Sequence, residues 1–123
     1  FICHKTRIRA NEVADMKVIG DVEGKNIIVV DDMIDTAGTI CKAADMLIDN
    51  GAASVRAVAT HAVLSGKAYE NIEKSKLTEV IFTDSIPQKQ PCSKIKVLPI
   101  APMFADTIRN IYEHKSISDH FLM

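Results

Sequence analysis

The feature that most constrains the fold is a single join near the middle of the chain. A continuous β-branched run, Asn26-Ile27-Ile28-Val29-Val30, passes through Asp31-Asp32-Met33-Ile34-Asp35-Thr36-Ala37-Gly38-Thr39 straight into a helical pattern. The run has the character of a strand buried on both faces of a parallel sheet. The helix is marked by Ile40, Ala43, Ala44, Leu47 and Ile48, which share one face, with Gly51 as its C-terminal stop. A strand that feeds a helix this directly is half of a βαβ unit.

The rest of the chain repeats the alternation. Lys5, Arg7 and Arg9 recur at period two, placing three cations on one side of an extended segment. Val18 to Val22 reads as a short strand, and Glu23 to Asn26 as a turn. Ser54 to Thr60 reads as a strand whose alternation Arg56 disturbs, and a short helix carrying Tyr69 and Ile72 follows Gly66. Glu79 to Thr83 is a third core strand. A Pro-containing loop from Asp84 to Ser93 leads to a last strand, Lys94 to Leu98. Pro102 opens a terminal helix that is expected to turn Phe104, Ile108 and Ile111 inward. The expected fold is α/β: a doubly wound, mostly parallel sheet with helices on both faces and ligands bound beyond the carboxyl ends of the strands.

With 123 residues, 47% of them hydrophobic and 25% charged, the composition is that of one globular α/β domain spanning 1–123 and excludes wholesale disorder. Fifteen basic against sixteen acidic residues leave a net charge of −1, which argues against a nucleic-acid binder. No apolar run approaches membrane-spanning length. Cys3, Cys41 and Cys92 are far apart and odd in number, which favours free thiols in a reducing, cytoplasmic setting. The apolar opening Phe1-Ile2-Cys3-His4 is read as a piece of a larger protein.

The acidic loop, residues 31–39, carries the chemistry. A helix start offers backbone N–H groups and the positive end of the dipole to an anion. Gly38 lets the backbone approach a ligand closely, while Thr36 and Thr39 donate hydroxyl hydrogen bonds; together they suit a phosphate monoester. Asp31 and Asp32 repel phosphate but suit sugar hydroxyls or a water-bound Mg²⁺. A phosphorylated ribose satisfies both halves. An Asp or Thr helix cap accounts for one or two of these residues, but not for the cluster.

The run VVDDMIDTAGT closely resembles the phosphoribosyl-diphosphate loop of the ribose-phosphate pyrophosphokinase (PRPP synthetase) family. HKTRIRANEV at residues 4–13 resembles that family's catalytic flexible-loop segment, placed at 1–17. Val18 to Val22, Thr60 to Gly66 and Cys92 to Ile95 match further stretches of its C-terminal half. The resemblance implies a type I phosphoribosyltransferase-like fold. It also implies transfer of a diphosphoryl group from ATP to the anomeric hydroxyl of ribose 5-phosphate, giving PRPP and AMP. Lys5 and Arg7 would be the cations that close over the transferring group. Asp35, Thr36, Ala37, Gly38 and Thr39 would hold the 5-phosphate, and Asp31 and Asp32 the ribose hydroxyls, with Mg²⁺ as cofactor but no certain protein ligand for it. Ser116 and Ser118 resemble part of an allosteric phosphate or ADP site. The family forms hexamers and binds ATP mainly through its N-terminal half, so this chain alone is expected to be inactive.

Many family members carry glycine where Ala37 stands. If the position needs a positive φ, alanine imposes a modest strain. No histidine needs a catalytic role: His61 reads as structural, and His4, His114 and His120 as exposed or packing residues. Three alternatives stand beside the main reading. They are a type I phosphoribosyltransferase, a non-catalytic PRPP-synthetase-like regulatory subunit, and a plain flavodoxin-like binding module.

Overall fold

The computed structural model describes residues 2–9 and 12–118, with side chains described over 20–118. Strands β1 (Ile2–Arg9) and β2 (Glu12–Ile19) pair antiparallel as a separate two-stranded sheet. The register between them shifts between Thr6 and Arg7 and again between Arg7 and Arg9. The strand expected over Val18 to Val22 ends instead at Ile19, because the backbone turns at Gly20 with φ 116°. Val22 lies beyond that turn in the hydrophobic core.

The main sheet contains β3 (Asn26–Ile34), β4 (Ser54–Ala62), β5 (Glu79–Thr83) and β6 (Ile95–Leu98), all parallel and in sequential order. Helix α1 (Gly38–Asp49) connects β3 to β4, and α2 (Ala68–Lys74) connects β4 to β5. The α/β class and the parallel sheet are as the sequence implies. Ile27, Val55, Ala57, Ala59, Val80 and Phe82 form one cluster with Ile40, Ala44 and Leu47 of α1 and Ala68, Tyr69 and Ile72 of α2.

Two apolar expectations are corrected. The run Ile27 to Val30 is buried on one side only: Ile28 and Val30 are 62% and 75% exposed. The physical reason is the covering layer: α1 and α2 pack on the sheet face that carries Ile27, Val55, Ala57 and Val80, and among the described residues nothing buries Ile28 and Val30 on the other. Helix α3 (Ala101–Tyr112) forms where Pro102 predicts it, but Phe104, Ile108 and Ile111 are exposed rather than inward. Their shared stripe is real, and among the described residues α3 has no buried position.

Arg56 disturbs the alternation of β4 because it serves an ion pair. Its Nε donates to Glu79 Oε1 at 2.8 Å, directly across the ladder, and Lys96 Nζ approaches Glu79 Oε2 at 2.7 Å. The hydrogen bond from Lys96, and then that from Arg56, hold the Glu79 carboxyl below its usual range. A carboxylate depressed in the folded state adds stability above its unfolded pKa and loses it as pH falls through the folded value. Glu79→Gln is therefore expected to lower the urea midpoint at neutral pH. Its deficit against wild type should shrink as the pH is brought down through the carboxylate range. A deficit independent of pH would show that the charge contributes nothing.

Candidate functional site

The acidic segment is less of a loop than its composition suggests. β3 continues through Asp31, Asp32, Met33 and Ile34, leaving three residues, Asp35, Thr36 and Ala37, to turn the chain into α1. Aspartate is a poor strand former, but here the two carboxylates serve the strand itself. Asp31 Oδ1 accepts the Asp32 N–H at 2.9 Å, and Asp32 Oδ1 accepts the Met33 N–H at 2.8 Å. Both side chains are exposed at the carboxyl end of the sheet.

The turn is made at Ala37, the N-cap of α1, which lies in the left-handed region at φ 61° and ψ 1°. This is the strained alanine foreseen from the sequence. Ala37 is buried, so its methyl packs while its backbone bends. The start of α1 has no side-chain cap and no acidic residue in its first turn. The N-cap is thus an alanine, which has no polar side chain to cap the helix, rather than the Asp or Thr of a side-chain cap. Gly38 has room above it, since an added Cβ would meet only Thr36 Oγ1, at an ordinary 3.8 Å.

A second wall comes from the segment between β4 and α2. The Leu64 N–H donates to Ile34 O and the Ser65 N–H to Asp35 O, each at 3.1 Å. The Ser65 hydroxyl donates to Asp35 Oδ1, and Asn71 Nδ2 of α2 donates to Thr36 O at 3.0 Å. Leu64 is buried and, like Ala37, has a positive φ, 46°. Two non-glycine residues, one in each of these bonded segments, thus hold left-handed backbone, the kind of strain that concentrates at ligand sites. Ser65 and Asn71 were not among the residues expected to build the site. The stretch Thr60 to Gly66 gave a signal through its family likeness; Asn71 gave none.

Asp31, Asp32, Asp35, Thr36, Ala37, Gly38 and Thr39 are therefore contiguous, as strand end, turn and helix start. Asp35 is engaged by Ser65. Among the described residues no three His, Cys, Asp or Glu side chains are grouped to cage a metal ion. The donor set still fits Mg²⁺: two exposed carboxylates, each with one oxygen given to a backbone N–H, suit an ion held through water. Lys5 and Arg7 lie on β1, opposite Met16 and Val13 of β2; their side chains fall outside the described residues, as do those of Cys3 and His4. Ser116 and Ser118 are exposed beyond α3, with their hydroxyls 2.7 Å apart. His120 lies outside the described residues.

The chain matches the family described as phosphoribosyl synthetase-associated domain over residues 4–122. It belongs to that family. A ribose-phosphate pyrophosphokinase of Helicobacter hepaticus is 56% identical over 120 residues, covering 98% of this chain and 39% of that protein. One from Porphyromonas gingivalis is 52% identical over 117 residues, covering 95% of this chain and 37% of its own length. The crystal structure of phosphoribosylpyrophosphate synthetase from Mycobacterium smegmatis superposes with a TM-score of 0.80 at 41% identity, over 91% of this chain and 36% of that one. This phosphoribosyl synthetase-family chain thus spans less than two fifths of the length of these relatives. No helix among the described residues is long and apolar enough to cross a membrane.

Proposed function

We propose that this chain is the ribose 5-phosphate-binding part of a ribose-phosphate pyrophosphokinase, a cytoplasmic enzyme that transfers diphosphate from ATP to the anomeric hydroxyl of ribose 5-phosphate. The observation that carries the reading is the open start of α1. It has no side-chain cap and no acid in its first turn, and it follows Asp31 and Asp32 at the carboxyl end of the sheet. The first-turn N–H groups and the hydroxyls of Thr36 and Thr39 receive the 5-phosphate. Asp31 and Asp32 accept hydrogen bonds from the ribose hydroxyls, which fixes the sugar by both ends.

The anomeric oxygen attacks the β-phosphorus of ATP, the bond from that phosphorus to the α-phosphate oxygen breaks, and AMP leaves. Negative charge grows on the transferring group, and Lys5 and Arg7 of β1 neutralise it. Asp31 and Asp32 would be the residues to hold a Mg²⁺ ion, which when bound would supply further charge neutralisation. ATP is bound chiefly by parts of the longer relatives that this chain does not span, so the chain alone turns nothing over. In the whole enzyme, six copies assemble from dimers, and Ser116 and Ser118 contribute to a regulatory phosphate site between subunits.

Calorimetric titration with ribose 5-phosphate, with and without Mg²⁺, tests the reading, with free ribose and inorganic phosphate as controls. Saturable binding is expected for ribose 5-phosphate. Asp31→Asn and Asp32→Asn should each weaken it about tenfold or more, the scale of a charge-assisted hydrogen bond. Neither change should weaken inorganic phosphate. Equal losses for both ligands, or no binding of the sugar phosphate, would count against the reading.

A further inference from the structure

The carbonyls of Ile34, Asp35 and Thr36 are all bonded to the wall formed by residues 64–71. Ile34 O accepts from the Leu64 N–H and Asp35 O from the Ser65 N–H, each at 3.1 Å, and Thr36 O accepts from Asn71 Nδ2 at 3.0 Å. A carbonyl only accepts, so the atom of Asn71 beside it must be the amide nitrogen. The first two donors are backbone groups of the chain that leaves β4. Only the third is a side chain, and it is carried by α2, whose Ala68 and Ile72 are fully buried in the core. Asn71 therefore reaches the turn from a rigid base.

Fixing a carbonyl also fixes the N–H that follows it. In a planar trans peptide the two point in opposite directions, and the described residues contain no cis bond. The N–H groups of Asp35, Thr36 and Ala37 are thus turned away from residues 64–71. Thr36 and Ala37 lie outside every strand and helix, and neither N–H has an acceptor among the described residues. For Ala37 this is costly, because the residue is only 4% exposed and a buried N–H without an acceptor costs about as much as a lost hydrogen bond. Ala37 also stands in left-handed backbone directly before the right-handed α1. Such a change of hand gathers successive N–H groups around one concavity that suits an anion. The Ala37 N–H is therefore a donor held in place without a partner, at the start of the helix that receives the phosphate.

We infer that Asn71 is the positioning residue of the phosphate turn: by holding the Thr36 carbonyl, it fixes the Thr36–Ala37 peptide with the Ala37 N–H aimed at the phosphate of the ligand. The inference rests on the sugar-phosphate reading of the 31–39 segment. Asn71 itself touches no ligand. Without its amide the Thr36–Ala37 peptide is free to rotate, and the Ala37 N–H leaves the concavity. The contribution of Asn71 falls on the phosphate end of the ligand, whereas Asp31 and Asp32 act on the sugar.

Two measurements on the chain test it. In the ¹⁵N-labelled wild type, inorganic phosphate is expected to move the Ala37 amide together with those of the first turn of α1. In Asn71→Leu, which keeps the size of the side chain and suits a helix but has no donor, the Ala37 movement should be lost. A wild-type chain that binds phosphate with its Ala37 amide unmoved would overturn the inference, whether or not the variant folds. In calorimetry, Asn71→Leu is expected to weaken inorganic phosphate and ribose 5-phosphate by the same factor, about three- to tenfold, the scale of one neutral hydrogen bond. That pattern differs from Asp31→Asn, which should spare inorganic phosphate. A loss confined to ribose 5-phosphate would overturn the role of Asn71 alone. So would a lower urea midpoint with phosphate affinity and the Ala37 movement intact, the mark of a merely structural residue. Failure of the wild-type chain to bind the sugar phosphate would overturn the reading of the whole site, and this inference with it.

Discussion

Ala37→Val is expected to destabilise the chain by about 3 kcal/mol and to abolish ribose 5-phosphate binding. Ala37 is buried and has φ 61°, a conformation that a β-branched side chain reaches only with severe strain. The added methyl groups also enter a filled space, a further cost of about 1–3 kcal/mol if the core cannot shift. Ala37→Gly is the control with the opposite geometry. It relieves left-handed strain of about 1 kcal/mol but loosens the unfolded chain by a comparable amount. Its stability should therefore stay within about 1 kcal/mol of wild type. Urea denaturation of the three proteins reads both effects. If valine is tolerated without cost, the left-handed turn is not what sets the start of α1.

The second large effect is on binding alone. Gly38→Ala is expected to leave stability unchanged or slightly raised and to weaken ribose 5-phosphate at least about tenfold, which is about 1.4 kcal/mol. The chain itself makes no demand for glycine here, since a Cβ would meet only Thr36 Oγ1 at 3.8 Å and alanine is the better helix former. What a methyl would occupy is the space over the first turn of α1, where a phosphate must come close to backbone N–H groups. Separate melts and titrations keep the two effects apart. Unchanged affinity would mean that the anion sits elsewhere.

The elements legible in the sequence are those whose cause is local. The face of Ile40, Ala43, Ala44 and Leu47 repeats at helical spacing, and all four side chains are buried in α1 as that spacing requires. The β-branched runs became strands, and the possible cost of an alanine at position 37 could be stated before its φ was known. What was not legible depends on partners distant in the chain. The sequence reads Asp31 and Asp32 as the start of the acidic loop, whereas β3 runs on through both, their carboxylates accepting the next backbone N–H, which is a property of the folded strand. The stripe of Phe104, Ile108 and Ile111 tells which residues share a side of α3, not what lies against that side. Ser65 and Asn71 reach the site by hydrogen bonds across 30 and 35 residues of sequence. Arg56 looked like a flaw in a strand until Glu79 stood beside it.

The most direct test of the central claim, that the open start of α1 receives the phosphate of a phosphorylated ribose, is a backbone amide titration of the ¹⁵N-labelled chain. Ribose 5-phosphate is expected to move the amides of Gly38, Thr39 and Ile40 most, with inorganic phosphate moving the same three and free ribose leaving them in place. Saturable shifts centred elsewhere, with those three amides unmoved, would contradict it.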